Sequence, residues 1–254
     1  MIQVRKIQIP ELPTQKPRRL YIYLPNGYET SEKRYPVIYM FDGHNVFYDS
    51  HATYGKSWGM REYLKCSKKE VILVAVECNP EGIRRLFEYS PWEFRGGRFG
   101  VIGGLGKVTM DYFTKELKPQ IDAEFRTLPD REHTMIAGSS MGGLMSIYAL
   151  VEYNDVFSRA AALSPSLWTS PSSMRELIKS HTLLEPTRLY TDMGGAETEG
   201  HTEPFEAIFS VAKQLSKKGA HVAARVVPGA LHSEAYWEER IPVFMDYLAF
   251  DDNE

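Results

Sequence analysis

The stretch "HTMIAGSSMGGLMS", residues 133–146, sets two adjacent serines among glycines directly after a short apolar, β-branched run. Centred on Ser140 it reads Gly138, Ser139, Ser140, Met141, Gly142: a G-x-S-x-G pattern between a predicted strand, 133–138, and a predicted helix, 141–153. A serine in that context occupies a strained strand-to-helix turn, the nucleophile elbow. The residues two before and two after it must be tiny so that strand and helix can approach. For Ser139 those flanks would be Ala137 and Met141, and a methionine would clash. Ser140 is therefore the candidate nucleophile, and the flanking elements favour an elbow over a plain tight turn of small residues.

Outward from the elbow, the chain alternates between strand-like and helix-like segments. "PVIYMF" (36–41) and "VILVAVE" (71–77) are nearly continuous apolar runs, as expected of strands buried on both faces of a parallel sheet. Between them, 57–66 has helical character with Ser57 as an N-cap candidate. Further helices are predicted at 107–125, 172–180, 204–218 and 234–248, and strands at 159–164, 188–193 and 221–227. Upstream, 4–9 and 19–25 form an opening hairpin across the Pro-punctuated turn "PELPTQKP". The pattern predicts an α/β fold: a mostly parallel central sheet with an antiparallel N-terminal hairpin and helices on both faces. At 254 residues one domain, 1–254, is expected. The longest irregular piece, 88–106, is long enough for a functional loop or lid.

Composition narrows the partners. A net charge of −3 with interspersed signs gives no footprint for nucleic acid or an anionic membrane. Two cysteines, Cys66 and Cys78, make no disulfide framework, and reduced thiols are the default. With no signal-peptide h-region and no apolar run near membrane-spanning length, a soluble cytoplasmic location is expected. Cys/His ligand spacing and HExxH are missing, so neither a metal nor another cofactor is expected. "GVIGGLGKV" (100–108) fails as a phosphate loop because Val101 stands for the first required glycine and Val108 for the Ser or Thr after Lys107.

A serine hydroxyl needs a base and an orienting carboxylate, ordered Ser, acid, His in this kind of site. His232, in "PGALHSEAYW" beyond the last predicted strand, falls at the carboxyl edge of the sheet and fits the base. For the acid, "TDMGGAETEGH" offers Asp192, Glu197 and Glu199. Glu197, beyond Gly194 and Gly195, is free to curl toward His232 and is favoured. Asp192, held by the strand pleat, is the alternative, and Glu199 reads as a solvated charge. Two backbone N–H donors are needed for an oxyanion: one from Met141, and one from "FDGHNVFYDS" (41–50), where Gly43 permits a sharp bend presenting the amide of His44. Trp168 and Trp92 are candidate pocket walls, and Arg95 (with Arg98) could steer an anionic substrate. For each, ordinary packing or exposure is the competing account.

With these segments in register, the chain resembles the esterase D-like, or Putative esterase, family of α/β-hydrolases. That family includes feruloyl esterases, siderophore esterases, S-formylglutathione hydrolases and antigen 85-type mycolyltransferases. The resemblance spans nearly the whole chain. "YMFDGHNVF" resembles the Asp-Gly loop that supplies an oxyanion donor, here His44; "AGSSMGG" the nucleophile motif; "MGGAETE" the acid loop; and "PGALHSEAYW" the histidine segment. The residue after Asp-Gly departs from the family, where a less ionisable side chain is common. The resemblance implies an α/β-hydrolase fold and a serine esterase using Ser140, His232 and Glu197 on a small acyl or aryl ester, with carbohydrate- and siderophore-linked esters among the candidates. Acyl transfer to an alcohol, or a catalytically silent binding protein of the same fold, are the alternatives. Oligomeric state is not legible.

Overall fold

The computed structural model of the protein describes residues 1–13 and 16–248. Among the described residues ten strands form: β1 (Ile2–Ile7), β2 (Arg18–Tyr23), β3 (Val37–Met40), β4 (Ile72–Val76), the two-residue β5 (Phe94–Arg95) and β6 (Val101–Ile102), β7 (Thr134–Ser139), β8 (Arg159–Leu163), β9 (Arg188–Gly194) and β10 (His221–Val227). Eight of them make one sheet in the order β1-β2-β4-β3-β7-β8-β9-β10. β1 and β2 pair antiparallel, as does β2 with β4, and every pair from β4 to β10 is parallel. The predicted N-terminal hairpin is thus present, although Thr14 and Gln15 of its turn lie outside the described residues.

Period-2 alternation sends successive strand residues into two cores, one on each face. Tyr39, Val74, Ile136, Ala160 and Leu189 pack on one side. They meet α3 (Gly106–Tyr112), α5 (Met141–Glu152), α6 (Pro171–Ser180) and α7 (Glu203–Lys217). Ile38, Leu73, Met135, Ala161 and Tyr190 pack on the other, against α1 (Met60–Cys66), α8 (Glu234–Glu238) and α9 (Ile241–Leu248). Two short helices remain, α2 (Arg84–Glu88) and α4 (Lys118–Glu124). The predicted 107–125 helix is α3 and α4 joined by a π-turn at Phe113–Leu117. Pro119 has no N–H to give to a carbonyl one turn back, and a widened turn just before it absorbs the defect.

Three local expectations are revised. Ser57 does not cap α1; its hydroxyl donates to Asp49 Oδ1 at 2.7 Å, and Gly59, at φ 67°, precedes the helix instead. The single helix expected at 234–248 is broken into α8 and α9. The irregular 88–106 piece contains a small hairpin, β5 against β6, closed by a 3₁₀ turn at Gly97–Phe99.

Because β3, β7, β8, β9 and β10 run parallel, the loops leaving their carboxyl ends share one edge. From β3 the sheet continues to β4 on one side and β7 on the other, the switch point at which open α/β sheets form a crevice.

Candidate active site

Ser140 sits between β7 and α5 with φ 59° and ψ −121°, a strained backbone for a residue with a side chain. The flanking glycines are sterically required. A Cβ on Gly138 would lie 2.8 Å from the Gly142 carbonyl, and one on Gly142 would lie 3.0 Å from Phe41 Cβ. The turn is tied to the end of β8 and the loop after it by Ser140 N–H to Leu163 O at 2.9 Å and Ser166 N–H to Ser140 O at 3.0 Å. The half-buried Ser140 hydroxyl lies 3.4 Å from Ser166 Oγ.

At the same edge, His232 Nδ1 and Glu197 Oε2 are 2.7 Å apart. The Glu197 side chain is almost completely buried while His232 is 44 % exposed. Glu197 Oε1 accepts from Ser164 Oγ at 2.6 Å, Gly194 N–H at 2.8 Å and Arg240 Nη2 at 3.3 Å. Burial alone would push this carboxyl up; the bonds with His232 and Ser164 outweigh it and hold the pKa below its ordinary value. The His232 ring also meets Trp237 edge-on, centroids 4.9 Å apart. Asp192 lies elsewhere: fully buried, it accepts from Arg240 Nη1 at 2.9 Å and from the Tyr190 hydroxyl at 2.6 Å. Burial raises its pKa despite those two donors. The carboxylate brought to His232 is Glu197.

Arg240 and Ser164 are the residues that sequence reasoning missed. Arg240, 1 % exposed, spans Glu197 and Asp192, and also donates to Ser164 Oγ at 3.1 Å. Trp237 Nε1 donates to the same oxygen at 3.1 Å. Ser164, at φ 45°, is the first residue after β8. Its position at the carboxyl end of the strand beside the elbow strand was the available signal.

The Asp-Gly loop begins after β3. Asp42 adopts φ 56° and ψ 46° and is gripped by Arg85, Nε to Oδ1 and Nη2 to Oδ2, both 2.7 Å. Burial raises the Asp42 pKa, and the guanidinium more than reverses this, leaving it low. Gly43 is pressed against β4, where a Cβ would lie 2.5 Å from Ala75 O. His44 lies in the 3₁₀ turn Gly43–Asn45 and Met141 is the first residue of α5, so both N–H groups stand at open N-terminal ends of turns. The His44 ring is buried, with Nε2 3.0 Å from Thr53 Oγ1, and burial lowers its pKa against the pull of Asp42. Among the described residues, Asp42, His44 and Cys78 form one group whose potential metal-ligand atoms all lie within 4.8 Å. Both Asp42 oxygens already serve Arg85, and burial pushes the Cys78 thiol up, away from the thiolate a metal would need.

A cavity of about 1010 Å³ has Ser140, His232, His44 and Glu234 in its lining. Trp168, Trp92 and Arg95 are not among the residues around this cavity. Trp168 is 66 % exposed and edge-on to Phe94, Trp92 packs edge-on against Tyr148, and Arg95 projects from β5 into solvent.

A mostly parallel sheet with a serine elbow, and with the acid and histidine loops leaving the same edge, defines an α/β-hydrolase. The sequence profile of the family described as Putative esterase matches residues 13–246, and the chain belongs to that family. It is 26 % identical over 242 residues to the uncharacterized protein YbbA of Bacillus subtilis, covering 91 % of this chain and 92 % of that one. It is 25 % identical over 232 residues to an endo-1,4-beta-xylanase/feruloyl esterase of Xylanibacter ruminicola, covering 88 % of this chain but 28 % of that longer one. Among solved structures, an IroE-like serine hydrolase from Shewanella oneidensis superposes with a TM-score of 0.76 at 21 % identity, covering 99 % of this chain and 82 % of that one. Among the described residues no helix is long and apolar enough to cross a membrane.

Proposed function

We propose that the protein is a serine carboxylic-ester hydrolase acting on small acyl or aryl esters through a covalent acyl-enzyme. The observation that carries this reading is the 2.7 Å contact between His232 Nδ1 and the buried Glu197 carboxylate, at the sheet edge where the strained Ser140 turn also ends. Glu197 holds the proton on Nδ1, leaving Nε2 free as the base. On substrate binding, the Ser140 hydroxyl turns from Ser166 toward Nε2. Its oxygen forms the bond to the ester carbonyl carbon as Nε2 takes its proton. The Met141 and His44 amides hold the negative oxygen of the tetrahedral intermediate. Collapse breaks the bond to the alcohol oxygen, which leaves with the proton from Nε2. Water then repeats the sequence on the acyl-enzyme, activated by the same nitrogen.

The similarity to the Xylanibacter endo-1,4-beta-xylanase/feruloyl esterase makes aryl esters such as feruloyl esters a first class to try. Carbohydrate- and siderophore-linked esters belong in the same panel. A fluorophosphonate probe is expected to label the wild-type protein and not Ser140→Ala, with loss of p-nitrophenyl ester turnover in the variant. Labelling that persists in Ser140→Ala would overturn the assignment.

A further inference from the structure

The charges around the cavity are paired with one exception. Arg19 bonds Glu77 at 2.6 Å, Arg85 bonds Asp42 at 2.7 Å, and Lys56 bonds Glu238 at 2.5 Å. His232 has Glu197. The remaining charged group in the lining is Glu234, two residues after His232, at the start of α8. It is 6 % exposed, and its side-chain partner is the neutral Asn45 amide, Nδ2 to Oε1 at 3.0 Å. A buried carboxylate with no cation bonded to it is costly; burial, with Asp42 nearby, pushes the Glu234 pKa up against its own backbone N–H and the more distant His232 and Arg85.

Two aromatic side chains line the same cavity. Trp237, one turn along α8 from Glu234, is 4 % exposed and packed against Trp58 and the His232 ring, whereas Tyr54 is 82 % exposed and follows Thr53, whose N–H donates to Asn45 Oδ1 at 2.9 Å. A negative charge with no cation bonded to it, in a wall that also carries the exposed Tyr54 ring, is the chemistry that receives an organic ammonium group. Every cationic side chain of the wall already has its carboxylate, so an anionic substituent finds no free partner there.

We propose that Glu234, with the exposed Tyr54 ring, forms a subsite for a cationic, ammonium-bearing substituent on the substrate. This rests on the esterase reading, because it gives that substrate a charge class.

The test separates the two. In Ser140→Ala protein, calorimetric titration compares choline with its neutral isostere, 3,3-dimethylbutan-1-ol. Choline is expected to bind about tenfold more tightly, an ion pair plus cation–π contact in a partly enclosed site. The preference should collapse to about unity in Ser140→Ala/Glu234→Gln, while Asn45 keeps an acceptor in the glutamine carbonyl. With the wild-type nucleophile, the ratio of kcat/KM for acetylcholine over 3,3-dimethylbutyl acetate should show the same dependence on Glu234. Equal binding of choline and its isostere in the Ser140→Ala protein overturns the subsite without any variant at 234. A choline preference that survives Glu234→Gln also overturns it. Failure of the wild-type protein to hydrolyse any ester would instead count against the esterase reading, and leaves the binding comparison intact.

Discussion

Replacing Glu197 with glutamine should disable His232 through its tautomer rather than its position. A glutamine side chain can be placed two ways. With its carbonyl where Oε1 now sits, it keeps the donors from Ser164 at 2.6 Å, Gly194 at 2.8 Å and Arg240 at 3.3 Å. Its NH₂ then faces His232 Nδ1, which must accept, so the ring proton moves to Nε2 and the base is lost. With the amide reversed, the NH₂ group meets three donors, each left unsatisfied at about 1–3 kcal/mol. At about 3 kcal/mol or more in total, the first placement dominates by a factor of roughly 100 or more. A wrong tautomer of this kind in a Ser-His-Asp enzyme costs about 10⁴ in kcat, which corresponds to roughly 5.4 kcal/mol. Asp192→Asn provides the contrast. Its carbonyl can still accept from Arg240 and its NH₂ can donate to the Tyr190 oxygen, the two groups now 2.9 Å and 2.6 Å away. Turnover per folded molecule should therefore stay within about tenfold of wild type, with the cost appearing as lowered Tm. The assay is kcat for p-nitrophenyl acetate, normalised to the folded fraction measured by circular dichroism. Glu197→Gln retaining more than a tenth of wild-type kcat, or Asp192→Asn losing the larger share, would refute the reasoning.

Gly138→Ala pushes a methyl group into backbone at 2.8 Å and should cost about 3 kcal/mol, lowering Tm by roughly 6–12 °C; Gly103→Ala, whose Cβ would meet only Phe87 at 3.6 Å, should move it by little. Scanning calorimetry decides between them. Stability should respond to acid in two stages. Asp192 and Glu234, whose pKa values are raised in the fold, are relieved as pH falls through those raised values, so Tm should hold or rise slightly from neutral to mildly acidic pH. Asp42 and Glu197, whose values are lowered, contribute stability present above their ordinary carboxylate values and lost as pH falls through the folded ones, so Tm should drop there. A Tm that falls steadily from neutral pH would contradict this. Trp168→Ala should change kcat/KM for p-nitrophenyl acetate by less than about twofold, since the ring is 66 % exposed and away from the cavity lining; a tenfold loss would place it in the substrate path.

The parts of this molecule legible in the chain are those whose physics is local. The elbow's demand for tiny residues is met within Gly138–Gly142, and the strand before and helix after it follow from composition over a dozen residues. Likewise, Asp192 lies within β9, whose pleat fixes its direction into the Arg240 contact, while Glu197 follows Gly194 and Gly195 into a loop that reaches His232. What stayed hidden are partners chosen by packing. Arg240 meets Glu197 and Asp192 across 43 and 48 positions, and Arg85 meets Asp42 across 43. No periodicity connects residues so far apart; they are joined because α8, α9 and α2 dock beside the carboxyl edge of the sheet. Ser164 shows the same limit. Its place at a strand end could be guessed, but its use depends on Trp237, Arg240 and Glu197 all converging on one hydroxyl from elsewhere. A substitution at Arg240 would leave Glu197 with Ser164 and Gly194 as donors, yet strand Asp192 in a buried site with only Tyr190. Its first consequence is therefore loss of fold stability.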